Sequence, residues 1–268
     1  MVGYNDITKR IFTSLILILI VLLVINSPLA SGILICIFII LGLYEFFSMV
    51  EKKGIPIYKY FGIIMGTMIP VSIILKFKIS KTWELFFVVL AMISLIVMQF
   101  KRKENMGVIA GISTTIFGVL YVSWFLSFLI RLRFLPEGKG LLLSLLLITK
   151  LGDTGAYFIG SSFGKTPLIS HISPNKTLEG ACGGLLFSVM AALSTKFLLG
   201  YSYPHLLFLG LSLGTLAQLG DLSESLMKRD CNIKDSSKLL PGLGGVLDLV
   251  DSLLFTAPVF YFYISILR

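Results

Sequence analysis

The sequence predicts an all-α, polytopic membrane protein with about nine transmembrane helices. Two observations carry that. Hydrophobic residues make up 56% of the 268 residues, the mean hydropathy is +0.94 and only 14% of residues are charged. That is too little charge to cover the surface of a water-soluble domain. The apolar residues also come in blocks rather than amphipathic stripes, and an uninterrupted block of ~20 is what a helix needs to cross the hydrocarbon core.

Taken in order, the blocks predict spans at about 11–27, 30–50, 60–76, 84–100, 106–130, 140–160, 178–199, 204–222 and 246–267. The first follows Lys9-Arg10 and also fits the opening regions of a signal peptide, with Ser27-Pro28-Leu29-Ala30 as a cleavage site. The next apolar block begins at once, so a retained span is expected. With the N-terminus inside, the inner segments hold Lys9, Arg10, Lys52, Lys53, Lys59, Lys101, Arg102, Lys103, Lys165, Lys176, Lys228, Arg229, Lys234 and Lys238. The outer flanks hold Lys76, Lys78, Lys81, Arg131, Arg133, Lys139, Lys196 and Arg268. The bias favours an N-in, C-out chain. It also accounts for the net charge of +9 as loop cations facing anionic lipid, without nucleic acid as a partner. Cys36, Cys182 and Cys231 have no metal-like spacing.

Composition shifts near residue 150. Residues 1–139 read as a scaffold of about five spans that themselves carry almost no ionisable group. Residues 140–268 read as about four spans plus two polar inner loops, and as the region that carries the site. An ionisable side chain within a span is costly and is a functional candidate by default. The candidates are Lys150, Asp153, Asp221, Glu224, Asp248 and Asp251. In the N-in topology the five carboxylates converge on the inner half of three spans. Asp248 and Asp251 share one helix face at i,i+3, as do Asp221 and Glu224. Carboxylates this close repel unless something neutralises them. A hard cation such as Mg²⁺ takes oxygen ligands and keeps waters that a phosphate can replace. The cluster has enough charge for two cations. Plainer roles compete: Asp248 and Asp251 suit a helix N-terminus, and Lys150 can neutralise Asp153.

The first polar loop contains Gly160-x-x-x-Gly164-Lys165-Thr166. It is one residue short of a P-loop and has no preceding strand, so a P-loop NTPase is rejected. Glycine, lysine and hydroxyl residues beside a helix start still suit phosphate, and Ser173 or Thr177 can serve as the N-cap. His171 reads as a surface residue. The second loop places Ser225, Lys228, Arg229, Lys234 and Asp235 before Pro241-Gly242-Leu243-Gly244-Gly245, a turn that lets backbone approach a ligand closely.

Asp221-x-x-Glu-Ser-x-x-Lys-Arg-Asp230, Lys234-Asp235-Ser236 and Pro241-Gly-x-Gly-Gly-x-x-Asp248-x-x-Asp251 resemble the signature of the phosphatidate cytidylyltransferase (CDP-diacylglycerol synthase) family. Asp153-x-x-Ala-Tyr-Phe-x-Gly160 and Ser173-Pro174-x-Lys176-Thr177-x-Glu179-Gly180 extend the likeness over residues 145–260. Leu243 and Leu249 depart from it, standing where the family has histidine and arginine.

The resemblance implies an enzyme of the inner membrane, its site on the cytoplasmic side, that joins CTP and phosphatidate into CDP-diacylglycerol and pyrophosphate. It implies Mg²⁺ on Asp221, Asp248 and Asp251 with Asp153 and Glu224 beside them, and allows a second cation such as K⁺ and a homodimer. Asp221, Lys228, Arg229, Asp248 and Asp251 would be catalytic. Lys165, Ser173, Lys176, Thr177, Ser225, Lys234, Asp235, Gly242, Gly244 and Gly245 would hold substrate. Three readings compete: a CTP-dependent transferase acting on another lipid, a cation or proton transporter, and a relative impaired by Leu243 and Leu249.

Overall fold

A computed structural model describes residues 4–75, 83–100 and 106–267. Lys76, Lys78, Lys81, Lys101, Arg102, Lys103 and Arg268 of the charge comparison lie outside the described residues. The helices are α1 (Tyr4–Val24), α2 (Pro28–Lys52), α3 (Lys59–Ile74), α4 (Trp83–Gln99), α5 (Val108–Gly118), α6 (Phe125–Phe134), α7 (Gly138–Phe163), α8 (Leu178–Ser194), α9 (Lys196–Leu199), α10 (Tyr203–Asp230) and α11 (Val246–Leu267). A π-helical turn, Val119–Trp124, joins α5 to α6 without a break. Five helical stretches are long and apolar enough to cross a membrane: Pro28–Lys52, Val108–Phe134, Gly138–Phe163, Tyr203–Asp230 and Val246–Leu267. The chain is a helical membrane protein.

Local chemistry sets several ends. Ser27 caps α2, its Oγ accepting from Ala30 N–H at 3.3 Å, with Pro28 at the first helical position. Thr177 caps α8, its Oγ1 accepting from Gly180 N–H at 3.1 Å. Two regions differ from the sequence expectation. The loop after α7 contains a short antiparallel hairpin, β1 (Pro167–Ile169) paired with β2 (Ser173–Thr177). The helix expected to end near residue 222 continues as α10 to Asp230. Its extra turns are built from strong helix formers, and Lys228 Nζ lies 2.6 Å from Glu224 Oε2 at i,i+4. Ser225, Lys228 and Arg229 therefore stand on a helix, not in a loop.

The chain forms two compact units. The first comprises Met1–Ile130 and Cys231–Leu249. Its core is built on the α2 side chains Ile39, Leu43, Phe46 and Phe47, together with Ile69 and Val122. Phe46 and Phe47 meet edge to face at 5.6 Å, and Ser123 Oγ donates to the Gly66 carbonyl at 2.5 Å. The second unit comprises Arg131–Asp230 and Val250–Arg268. Here α7, α8 and α10 approach through small residues. A Cβ on Gly155 would collide with the Phe187 side chain, and one on Gly214 with Ser188. Without a hydrophobic drive between helices in lipid, such close van der Waals contact holds a bundle together.

Candidate active site

The second unit gathers four of the five expected carboxylates. Asp153 comes from α7, Asp221 and Glu224 from α10, and Asp251 from α11. One oxygen from each of Asp221, Glu224 and Asp251 lies within 4.8 Å of the others. Glu224 and Asp251 are buried, at 0% and 8% exposure, while Asp221 is half-buried. The meeting of α10 with α11 is made possible by Gly220, where any Cβ would strike the Asp251 carbonyl. These three carboxylates form a set of hard oxygen donors, the donor type that Mg²⁺ takes.

Lysines face three of these carboxylates. Lys150 Nζ is 3.1 Å from Asp153 Oδ2, Lys176 Nζ is 2.6 Å from Asp221 Oδ1, and Lys228 Nζ is 2.6 Å from Glu224 Oε2. Ser252, which the sequence reading passed over, ties the first pair together. Its Oγ accepts from Lys150 Nζ at 2.9 Å and lies 3.1 Å from Asp153 Oδ2. Its amide donates to Asp251 Oδ1 at 2.5 Å. A serine directly after an aspartate inside an apolar block was the available signal.

A cavity of about 520 Å³ opens beside this cluster, lined by Asp153, Ser173, Lys176, Thr177, Gln218 and Asp221 among others. Its volume is in the ~300–1,000 Å³ range of ligand pockets. The hairpin forms one wall and is fastened at two points. Glu179 accepts from the amides of Lys165 and Thr166 at 3.1 and 3.2 Å, and Arg229 Nε donates to the Ile172 carbonyl at 3.1 Å. In the loop whose glycine, lysine and hydroxyl residues suit phosphate, the Lys165 and Thr166 amides are thus given to a carboxylate. The Lys165 residue itself is exposed. Ser225, buried on α10, lies 3.5 Å from Lys176 Nζ.

The remaining expected residues lie in the first unit. Lys234 and Asp235 are exposed. Gly242 and Gly244 have φ of +80° and +95°, a region side chains disfavour, which explains the glycines of the turn. That turn is held to α1, where Arg10 Nε donates to the Gly242 carbonyl at 2.7 Å and Thr13 Oγ1 to that of Pro241 at 2.9 Å. Leu243 and Leu249 are half-buried. The amides at the start of α11 are occupied. Asp248 Oδ2 accepts from Gly245 N–H at 2.7 Å and from the Ser236 amide and hydroxyl at 3.1 and 2.9 Å. A side chain reaching back from the third helical position to the N-cap amide is the capping-box arrangement. Glu45 of α2, 3% exposed and missed by the sequence reading, takes the next two amides, Val246 at 2.9 Å and Leu247 at 2.8 Å. It also accepts from Ser236 Oγ at 3.0 Å and Ser237 Oγ at 2.6 Å. A Cβ on Gly245 would meet both Ser236 and Glu45, so this glycine makes room for the carboxylate.

The second unit of this helical membrane protein thus sets lysine-faced carboxylates beside a polar cavity, and the comparisons give the class of enzyme to which such a chain belongs. The sequence model of the cytidylyltransferase family matches residues 8–267, and the chain belongs to that family. Within it, the chain is 34% identical to the phosphatidate cytidylyltransferase of Synechocystis sp. over 258 residues, 85% of this chain and 86% of that one. It is 32% identical to the phosphatidate cytidylyltransferase of Bacillus subtilis over 269 residues, 97% and 98% of the two chains. A Staphylococcus aureus phosphatidate cytidylyltransferase is 43% identical over 125 residues, 46% of this chain and 48% of that one.

Proposed function

We propose that the protein transfers the cytidylyl group of CTP to phosphatidate, forming CDP-diacylglycerol and releasing pyrophosphate. The observation that carries the reading is the cavity whose polar wall pairs Asp221 and Asp153 with lysines, in a chain of the cytidylyltransferase family. An oxygen of the lipid phosphate attacks the α-phosphorus of CTP. The bond to that oxygen forms as the bond to the β-phosphate breaks. The nucleophile is already anionic, so no strong base is required, and the chain's contribution is positioning and charge stabilisation.

Lys176, at the cavity, would bind the triphosphate. Arg229 would keep the hairpin in place, and Ser173 and Thr177 would line its inner face. Lys228, held by Glu224, would offset charge on the departing pyrophosphate. Lys165, Lys234, Asp235, Ser225 and the Gly242–Gly245 turn remain proposed substrate contacts on the family likeness. The proposed Mg²⁺ ligands are Asp221, Glu224 and Asp251, with Asp153 next to them. Asp248, at i,i+3 from Asp251, is the outer member of the set, with Oδ2 already committed to Ser236 and Gly245. Mg²⁺ bound there supplies Lewis-acid neutralisation of phosphate oxygens.

The same proposal sets about nine spans, an N-in, C-out chain in the cell's inner membrane and a site on the cytoplasmic side, where CTP is available. A second cation such as K⁺ and a homodimer rest on the family likeness. The test is purified protein in phosphatidate vesicles with labelled CTP and Mg²⁺. CDP-diacylglycerol and pyrophosphate should accumulate together. Failure to form product, with no recovery in a Leu243→His/Leu249→Arg variant, would sink the proposal.

A further inference from the structure

Among the described residues, three lysines pair with carboxylates at or beside the acidic cluster, and they are not equivalent. Lys150 and Lys228 sit on the same helices as their carboxylates, at i,i+3 and i,i+4. Lys176 instead reaches Asp221 from strand β2. Its side chain is 26% exposed and that of Asp221 is 39% exposed, and both line the cavity. The Lys228–Glu224 pair is more enclosed, at 12% and 0%. The Lys150–Asp153 pair is open as well, at 39% and 37%, but Lys150 is also tied to Ser252 Oγ at 2.9 Å. Lys176 is the lysine of the three that lines the cavity, its flexible stem already in the space a ligand would enter.

Asp221 is also one of the three clustered carboxylates. An ammonium 2.6 Å from its Oδ1 occupies the ground a divalent cation would need. Two positive charges cannot crowd one carboxylate without strong repulsion. We infer that Lys176 and the divalent cation compete for Asp221, and that the triphosphate of the incoming nucleotide relieves the competition by drawing Lys176 onto itself. The inference rests on the proposed nucleotidyl transfer and adds to it a reason for nucleotide and cation to enter as a pair. By linkage, whatever removes Lys176 from Asp221 raises cation affinity, and a cation on Asp221 frees Lys176 for phosphate by the same factor.

Mn²⁺ titration of the purified full chain in detergent, without nucleotide and read by electron paramagnetic resonance of the free ion, tests this. Lys176→Met should bind Mn²⁺ about five- to tenfold more tightly than the parent, the gain expected from removing a competing charge in a partly solvated pair. Lys176→Gln should do the same, and it stands in if the Met variant fails to fold. Lys176→Arg should keep the parent affinity, as should Lys196→Met, which removes a lysine held over the Tyr203 ring. The two tightening variants should nevertheless turn over more slowly. A permanent structural salt bridge would not produce that opposition of signs. Affinity unchanged or weakened in both neutral variants overturns the exchange, and leaves the transferase proposal standing if the parent still makes CDP-diacylglycerol. Mn²⁺ binding that survives both Asp221→Asn and Asp251→Asn instead removes the cation site on which the exchange depends.

Discussion

Asp248 and Asp251 lie three residues apart on α11, yet their surroundings are opposite in kind. Asp248 Oδ2 accepts from the Gly245 amide and from the Ser236 amide and hydroxyl, and Glu45 beside it accepts from the amides of Val246 and Leu247 and the hydroxyls of Ser236 and Ser237. Asp251 belongs to a group whose other members, Asp221 and Glu224, are answered by lysine ammonium groups. Carboxylates held by amides and hydroxyls are committed to the fold, because removing them orphans buried donors. Carboxylates held by ammonium groups can exchange one cation for another. On the proposed function, the difference would give fold-holding to the first half-turn of the helix and chemistry to the next.

Substitutions can break or sharpen this contrast. The largest effect is expected for Asp251→Asn, which keeps the shape and removes the charge. Turnover of CTP to CDP-diacylglycerol should fall by roughly 10³-fold, the scale of losing a key electrostatic group, with thermal unfolding unchanged. A loss below tenfold would erase the contrast from the catalytic side. Glu45→Ala should be the most destabilising change. It leaves the amides of Val246 and Leu247 without their acceptor, and unfolding in detergent should lose about 3 kcal/mol. Restoring an acceptor with Glu45→Gln should recover part of it. Asp248→Asn should be milder in both respects, because an amide oxygen can still cap the helix. About 1 kcal/mol of stability and less than tenfold in turnover are expected. A turnover loss as deep as that of Asp251→Asn would move Asp248 from the outer edge of the cation site to its centre.

Much of this was legible in the sequence, for a physical reason. Charge inside an apolar block is expensive, so Asp153, Asp221, Glu224 and Asp251 stood out one by one, and helical spacing paired them. The boundaries of α11 followed from its apolar block and from the glycine turn before it. Glu45 was lost although it met the same criterion. It stands alone in the apolar block of α2, and its partners at Val246 and Leu247 lie 201 and 202 residues away. No local pattern connects such positions. The hairpin was missed because Ser173-Pro174-Asn175-Lys176-Thr177 has neither alternation nor β-branched density, and tertiary anchors at Glu179 and Arg229 shape it instead. The last turns of α10 were hidden for a converse reason. A search for apolar blocks stops where the lipid-compatible residues stop, while the helix needs only good backbone formers to continue.

The π-helical turn at Val119–Trp124 leaves one residue more per turn than an α-helix has room for, which is how a single inserted residue is absorbed without breaking the rod. Deleting one residue there would regularise the hydrogen bonding and still yield a well-formed helix. It would leave the phase downstream nearly unchanged, because each residue of the wider turn advances by less than an α-helical residue's ~100° and the extra residue makes up the difference. Leu126 and Ile130, 1% and 0% exposed, would therefore keep the face they pack on. Residue number and phase angle come apart in this stretch. A family member lacking that residue could keep the face of its next helix while its numbering shifts by one, so positions after the turn correspond by face rather than by count.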